Sequence, residues 1–507
     1  MGVEPGTRGG AAAAGEIPGV LTPAPDLKAS TLSTTDGRRT RRRGALIPAD
    51  LDLLAQVDLL EASTSLLQRI EAMIPPESVL KEYPKPTRKD KWYKREVIDK
   101  HYKGADYVLI TIPDDDGKQR PYIVPAHHSL ARLEDAPATT PGTHYAKASF
   151  EGLSALSIDG VGHLALLGPR MNRWQKSVDS QDFDVPVSTP EMTLGIKDYA
   201  AILGPSVFGD PDKPTRAYVR PFAILGNGPM GVASSPDNLV SMGAIIWNWP
   251  TYFKEASEKV YRGEGLDVIV QPNQRTEIPT GKNSVNYGRA SKASTDAKAE
   301  GGNESLYFAT FYAHGDIGPK NRGRTALLKD EAPEDLREHM LNLAIADGPG
   351  EEIITFARRD DGKVEMLYPP TDVGRLGGTT LDYIINYIAP KLGIPTRETY
   401  WSLQDVVDGK VEPFMAMVGN AVMVAPVGKF RLFDQDRRPI LDDTGQPLVI
   451  PMRHPDELPE LRAIQGELEA EFAGVAESHP SLLTRVASGP EVDEARALLD
   501  KTFAKWF

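Results

Sequence analysis

The segment STDAKAEGGN, Ser294 to Asn303, sets a single lysine between small polar residues and a glycine pair. A lysine amine can bond covalently to a carbonyl carbon and then carry a proton. Most lysines are only solvated surface charges, so Lys298 needs company before it means chemistry. The stretch LGGTTLDYIINYIAPKLG offers some. Leu381, Ile384, Ile385, Ile388 and Leu392 fall on one helical face, so a helix starts near Thr379. Gly377 and Gly378 leave bare amides at its positive end, beside the hydroxyls of Thr379 and Thr380. That is a cradle for phosphate, or equally a tight turn with an N-capping threonine.

Arg173, one turn into the helix that follows Gly168-Pro169, can add a positive charge. With Arg170 and Lys176 at helical spacing it can equally make a solvated basic face. Asp347 stands in ADGPGEE, a glycine-punctuated turn before the apolar run IITF. A lysine amine, a phosphate cradle, a basic helper and a carboxylate are together what pyridoxal 5'-phosphate requires, the carboxylate keeping its ring nitrogen protonated.

The elements that must position these groups follow from pattern and composition. The chain has 507 residues, 40% apolar and 25% charged, with a formal net charge of −13 and no cysteine. Such a length holds more than one core. The negative charge argues against nucleic acid as partner, and the missing cysteines exclude disulfides, thiolate metal sites and cysteine nucleophiles. No apolar run is long enough for a membrane span and no secretory pattern opens the chain, so a cytoplasmic protein is expected. His127-His128 and Asp114–Gly117 lack metal-ligand spacing and are expected in loops; no metal is expected.

Residues 1–46, rich in Gly, Pro and Ala and closing on a basic run at Arg38–Arg43, form a disordered tail on this reading. Residues 47–104 form a helical extension, with one helix from Pro48 to Met73 stopped by Ile74-Pro75-Pro76. Strands and helices then alternate through a small α/β domain (105–253), a polar connection (254–265) and a large domain (266–453). The last stretch, 454–507, is expected to be a peripheral helical extension.

In order along the chain, HYAKASFEGLSAL, GPRMNRWQKSV, AYVRPFAILGNGPMGV, NYGRASKASTDAKAEGGN, DGPGEEIITFARRDDGKVEMLYPP, LGGTTLDYIINYIAPKLGIPTRE and MVGNAVMVAPV resemble the branched-chain aminotransferases of the fold type IV (class IV) pyridoxal phosphate family. These blocks span about Thr143 to Phe430. The resemblance implies a two-domain α/β (α+β) enzyme, with N- and C-terminal extensions, that exchanges an amino group between an apolar amino acid and a 2-oxo acid as a homodimer. It places the Schiff-base lysine at Lys298, the phosphate arginine at Arg173 and the phosphate loops at Gly378, Thr379, Thr380 and Asn420. It places the ring-nitrogen acid at Asp347 and a cofactor contact at Asn303. Substrate positions fall on Tyr145, Phe150, Tyr218, Arg220, Met230, Val232 and Ala421, with Met230 and Val232 reaching the other subunit.

Some positions depart from the family. Asp347 replaces a glutamate, Asn303 (or Glu304, if a residue is inserted) stands in KAEGGNE where a tyrosine is expected, and Val418-Gly419-Asn420 replaces serine-glycine-threonine. The segment TEIPTGKNS precedes the lysine block as a possible insertion. A lyase or tailoring enzyme on the same fold, or a silent binding protein, therefore stays open beside the aminotransferase.

Overall fold

The computed structural model describes residues 48–82, 106–113, 116–126, 140–208, 216–226, 228–235, 237–253, 256–275, 279, 281–313 and 333–504. The tail 1–46, the histidine pair at 127–128 and parts of TEIPTGKNS lie outside them. Two sheets organise the rest, one of eight strands and one of nine. The first is antiparallel throughout. Its long central pair, Arg216–Leu225 and Val240–Asn248, matches the two apolar segments expected there.

The second sheet is mixed. Leu266–Gln274 runs parallel to both Glu304–Tyr312 and Met423–Leu432, and the hairpin of Glu352–Arg358 with Val364–Tyr368 is antiparallel. Gly362, at φ 79°, closes that hairpin at the Asp-Gly turn that its sequence marks. Each sheet has a core of its own: one is built on Leu153, Trp174, Tyr199 and Val219, the other on Val268, Phe308, Met415 and Val427. A third cluster, including Ala165, Leu166, Phe414 and Ile464, joins residues of the first sheet to residues of the second.

Both terminal segments belong to these cores. The expected single N-terminal helix is two, Pro48–Ser63 and Leu66–Ala72, because Ser65 starts the second with a capping box. Arg69 from it pairs with Asp198, Nε to Oδ2 at 2.7 Å, inside the first half. The C-terminal stretch is not peripheral. Helix Pro459–Phe472 buries Leu461, Ile464, Leu468 and Phe472 in the third cluster. Helix Pro490–Phe503 buries Val492, Ala495, Leu499 and Phe503 against the first core. Charged outer faces disguise these apolar stripes in the sequence.

Leu166, buried and at φ 53°, turns the strand Val161–Ala165 into the helix Leu167–Asp179. The left-handed conformation is costly for leucine. It is held by the N–H bond to Leu482 O at 2.6 Å and by burial of the side chain. That turn aims Arg170 and Arg173 inward. Truncating Leu499, which is fully buried, to alanine should cost about 2–5 kcal/mol in urea unfolding. A change near zero would mean that the terminal helix is merely attached.

Candidate functional site

A cleft between the two sheets is lined by Arg173, Lys282, Tyr287, Asp347, Glu351, Glu352, Gly378, Thr379, Thr380 and Asn420, among others. It gathers most of the polar residues expected for a cofactor, and it corrects the expectation for the lysine.

Lys298 is exposed and does not line the cleft. It sits near the end of the helix Tyr287–Ala299, whose buried face is Ala290, Ala293 and Ala297. Tyr287 at the helix start does line the cleft, and eleven residues of helical rise carry Lys298 about 16 Å further along. Asn303 is also elsewhere. Its Oδ1 accepts from Asp267 N at 2.8 Å and its own N–H donates to Asp267 O at 2.8 Å, a strand-end clasp away from the cleft lining.

The lysine lining the cleft, among the described residues, is Lys282, within the segment TEIPTGKNS that the sequence leaves open as an insertion. Its main chain is tied on both sides. The Lys282 N–H donates to Ser177 Oγ at 2.8 Å, and its carbonyl accepts from Phe150 N–H at 3.1 Å. Asn283 accepts from Ser149 Oγ at 2.7 Å and donates to Ser180 Oγ at 2.9 Å. Gly281 is needed here, since a Cβ would lie 2.5 Å from Ser177 Cα. The Lys282 Nζ lies 5.7 Å from the centre of the Phe150 ring and 5.9 Å from that of Tyr287, and these two rings pack on each other at 4.7 Å. Asn286-Tyr287 is an asparagine-tyrosine pair four residues beyond a lysine. That signal is present in the sequence, but the GGN at 301–303 draws the register sixteen residues too far.

One end of the cleft is built for an anion. Arg173 makes a two-point ion pair with the fully buried Glu151, at 2.7 Å on both contacts, and donates to Gly377 O at 3.0 Å. Burial alone would raise the Glu151 carboxyl; Arg173, with Lys282 and Arg170, outweighs it and holds the group at about 2. Arg170, also fully buried, donates to Gly152 O and to Thr380 Oγ1, and burial lowers its guanidinium to about 9. Gly378 caps the helix Thr379–Tyr383, which continues through a π-helical turn, Ile384–Ile388, to Ala389–Lys391. Asn420 accepts from Ser154 Oγ at 2.8 Å, while its buried Nδ2 makes no hydrogen bond. An unsatisfied buried donor beside an arginine and bare amides suits a phosphate oxygen.

Asp347 lines the same cleft, its carboxyl also held by the Leu376 amide beside the glycine turn. Its Oδ1 accepts from Arg275 Nε at 2.8 Å, and Arg275 stacks on Tyr307 at 4.0 Å. Burial raises the Asp347 carboxyl above its ordinary value, and Arg275 opposes that shift. Glu351, fully buried, is raised well above the ordinary range by burial and then by Glu304, whose own oxygens are held by Ser294 and Tyr252.

Of the residues expected to meet substrate, Phe150, Tyr218 and Arg220 form a cluster. Arg220 stacks on Phe150 at 4.5 Å and donates to Tyr218 Oη at 3.1 Å, and its buried Nε makes no hydrogen bond. Burial would raise the Tyr218 phenol, but the Arg220 and Lys282 charges pull it below its ordinary value. The Ala421 carbonyl accepts from Arg216. Tyr145, Met230 and Val232 are exposed, at 39%, 42% and 75%.

Among the described residues no group of side chains is arranged to hold a metal ion, and no helix is long and apolar enough to cross a membrane. No protein-family model matches the sequence and no curated protein matches it. Solved structures do match. The branched-chain amino acid aminotransferase of Escherichia coli aligns with a TM-score of 0.50 at 20% identity, over 76% of this chain and 100% of that one. A bacterial branched-chain aminotransferase (T.th.) complexed with N-(5'-phosphopyridoxyl)-L-glutamate aligns at 0.51 and 20%, and that of Thermoproteus uzoniensis with norvaline at 0.50 and 17%, both over the same shares. At such identities the likeness establishes the fold.

The Glu151–Arg173 pair gives a testable linkage. Its folded carboxyl lies below the ordinary 4.5, so the pair stabilises fully above about pH 4.5 and fades as pH falls toward 2. Glu151→Gln should cost about 3–5 kcal/mol at neutral pH by leaving Arg173 unpaired. Its urea stability should also fall less between pH 5 and pH 3 than that of the wild type. Parallel pH dependences would refute the assignment.

Proposed function

We propose that this chain, which has the fold of the branched-chain aminotransferases, is a pyridoxal phosphate-dependent aminotransferase whose covalent lysine is Lys282. The observation that supports it most is the placement of Lys282. Its amine stands in a cleft that is also lined by an anion cradle and by a buried carboxylate–arginine pair. The residues present suit the cofactor. Arg173, Thr379, Thr380 and Asn420 would hold the phosphate, Asp347 the protonated ring nitrogen, and Lys282 the reactive carbon. When bound, pyridoxal phosphate supplies a sink for the electron pair left on the substrate α-carbon.

The chain's own part is positioning and proton transfer. Lys282 Nζ takes the proton from the α-carbon and returns it on the cofactor side, which a flexible amine fixed at its backbone can do. The Phe150 and Tyr287 rings flank the amine at 5.7 and 5.9 Å. Arg275 helps keep Asp347 ionised against its burial. Arg220 has donor capacity to spare and, with Tyr218, would receive the carboxylate of an amino acid or 2-oxo acid; the rings of Phe150, Trp247 and Trp249 near it favour an apolar side chain. We further propose a homodimer, the exposed apolar Met230 and Val232 being its contact.

Tyr287 in the cleft removes one motive for a lyase reading, since the tyrosine absent after Asn303 is supplied after Asn286. Titrating purified protein with pyridoxal phosphate should develop a visible chromophore, bleached by an apolar amino acid donor. Lys282→Ala should lose the chromophore, and with it at least a thousandfold in activity, whereas Lys298→Ala should keep both. Equal spectra for wild type and Lys282→Ala would refute the proposal.

A further inference from the structure

Glu352 is hard to reconcile with a cradle that only attracts anions. It begins the strand Glu352–Arg358, is 4% exposed, and lines the cleft. Its Oε1 accepts from Arg375 Nη1, while its buried Oε2 makes no well-aligned hydrogen bond and lies beside the Gly378 amide, which favours the ionised form. That oxygen sits so close to Gly378, the cap of the helix, that any Cβ at 378 would collide with it. A carboxyl oxygen therefore occupies the wall of the anion site.

The charges around it can be followed element by element. Arg375 comes from the turn before the helix and is itself held by Pro369 O at 2.6 Å. Asp382, exposed, comes from the first turn of the helix. Arg173 faces it from the helix Leu167–Asp179 and is already matched by Glu151. Arg170, on the same helix, reaches the cradle through Thr380. With Glu352 ionised, Arg173 and Arg375 are each matched by a carboxylate, and a phosphate would meet a further negative charge at Gly378. With Glu352 neutral, that negative charge is gone and Oε2 carries a hydrogen to donate.

Resting on the cofactor reading above, we propose that Glu352 is a phosphate-binding residue that works as a neutral carboxylic acid. Each phosphate group captured in the cradle then brings one proton with it from solvent to Glu352. Burial supports this, raising the carboxyl to about 7 before any phosphate is present, against the opposing pull of Arg375. A phosphate dianion alongside raises it further.

The test measures the affinity of the whole chain for pyridoxal phosphate from pH 6.5 to 8.5, by absorbance. Proton uptake is measured by calorimetry in two buffers of different ionisation enthalpy. For the wild type, Kd should rise above about pH 7 by up to tenfold per pH unit more than for Glu352→Gln, which cannot ionise. At pH 8 the wild type should take up about one proton more than the variant. Identical slopes and uptake would overturn the proposal. Should the variant not fold, the wild type is compared with pyridoxal, which lacks the phosphate: equal uptake for both ligands would overturn it. Failure of the wild type to bind pyridoxal phosphate at any pH would instead refute the cofactor reading.

Discussion

The constraint on which the site depends is the burial of Arg173 against Glu151. A guanidinium and a carboxylate taken out of water must be paired and hydrogen-bonded or they unfold the region around them. Here the pair does more than cancel charge. Glu151 also accepts from Gly152 N–H at 2.8 Å, at the start of a strand in the first sheet. Arg173 reaches Gly377 O in the turn that starts the helix Thr379–Tyr383 beside the second sheet. One ion pair thus registers a strand, a helix and a glycine turn, and the cleft lies where they meet.

Around that pair the cleft is a balance of buried charges. Asp347 is held by Arg275, Glu352 by Arg375, and Glu304 by two hydroxyls. Glu351, next to Glu304, has only a backbone amide at 3.0 Å, and its carboxyl is pushed up accordingly. Such concentration of opposed carboxyls and cations is costly for stability and suited to moving protons, and it marks functional sites more often than structural ones.

Much of this is legible in the sequence because it rests on local pattern. The apolar face from Leu381 to Leu392 locates the phosphate helix to within a residue, and the Asp-Gly turn locates the hairpin. Arg173, Asp347 and Asn420 stand in the cleft because the short elements carrying them have strong signals of their own. Lys282 escapes a sequence reading because its local mark, the Asn286-Tyr287 pair four residues on, is outweighed by the GGN at 301–303. It sits in a polar strap without periodicity, and its position is set by Ser177, Ser149 and Ser180 from distant segments. The GGN at 301–303, a strand-end clasp, imitates the expected motif. Glu352 escapes for a related reason: the run Gly350-Glu351-Glu352 does not say which acid points at Gly378. The C-terminal helices read as an appendage because their charged faces dominate their composition.

The central claim is that a single lysine, placed by that strap, bonds the cofactor. Reduction of the pyridoxal phosphate complex with borohydride, followed by proteolysis and mass spectrometry of the peptides, tests it most directly. The phosphopyridoxyl mass should fall on the peptide containing Lys282. Its appearance on the peptide containing Lys298, or on no lysine of the cleft, would contradict the account.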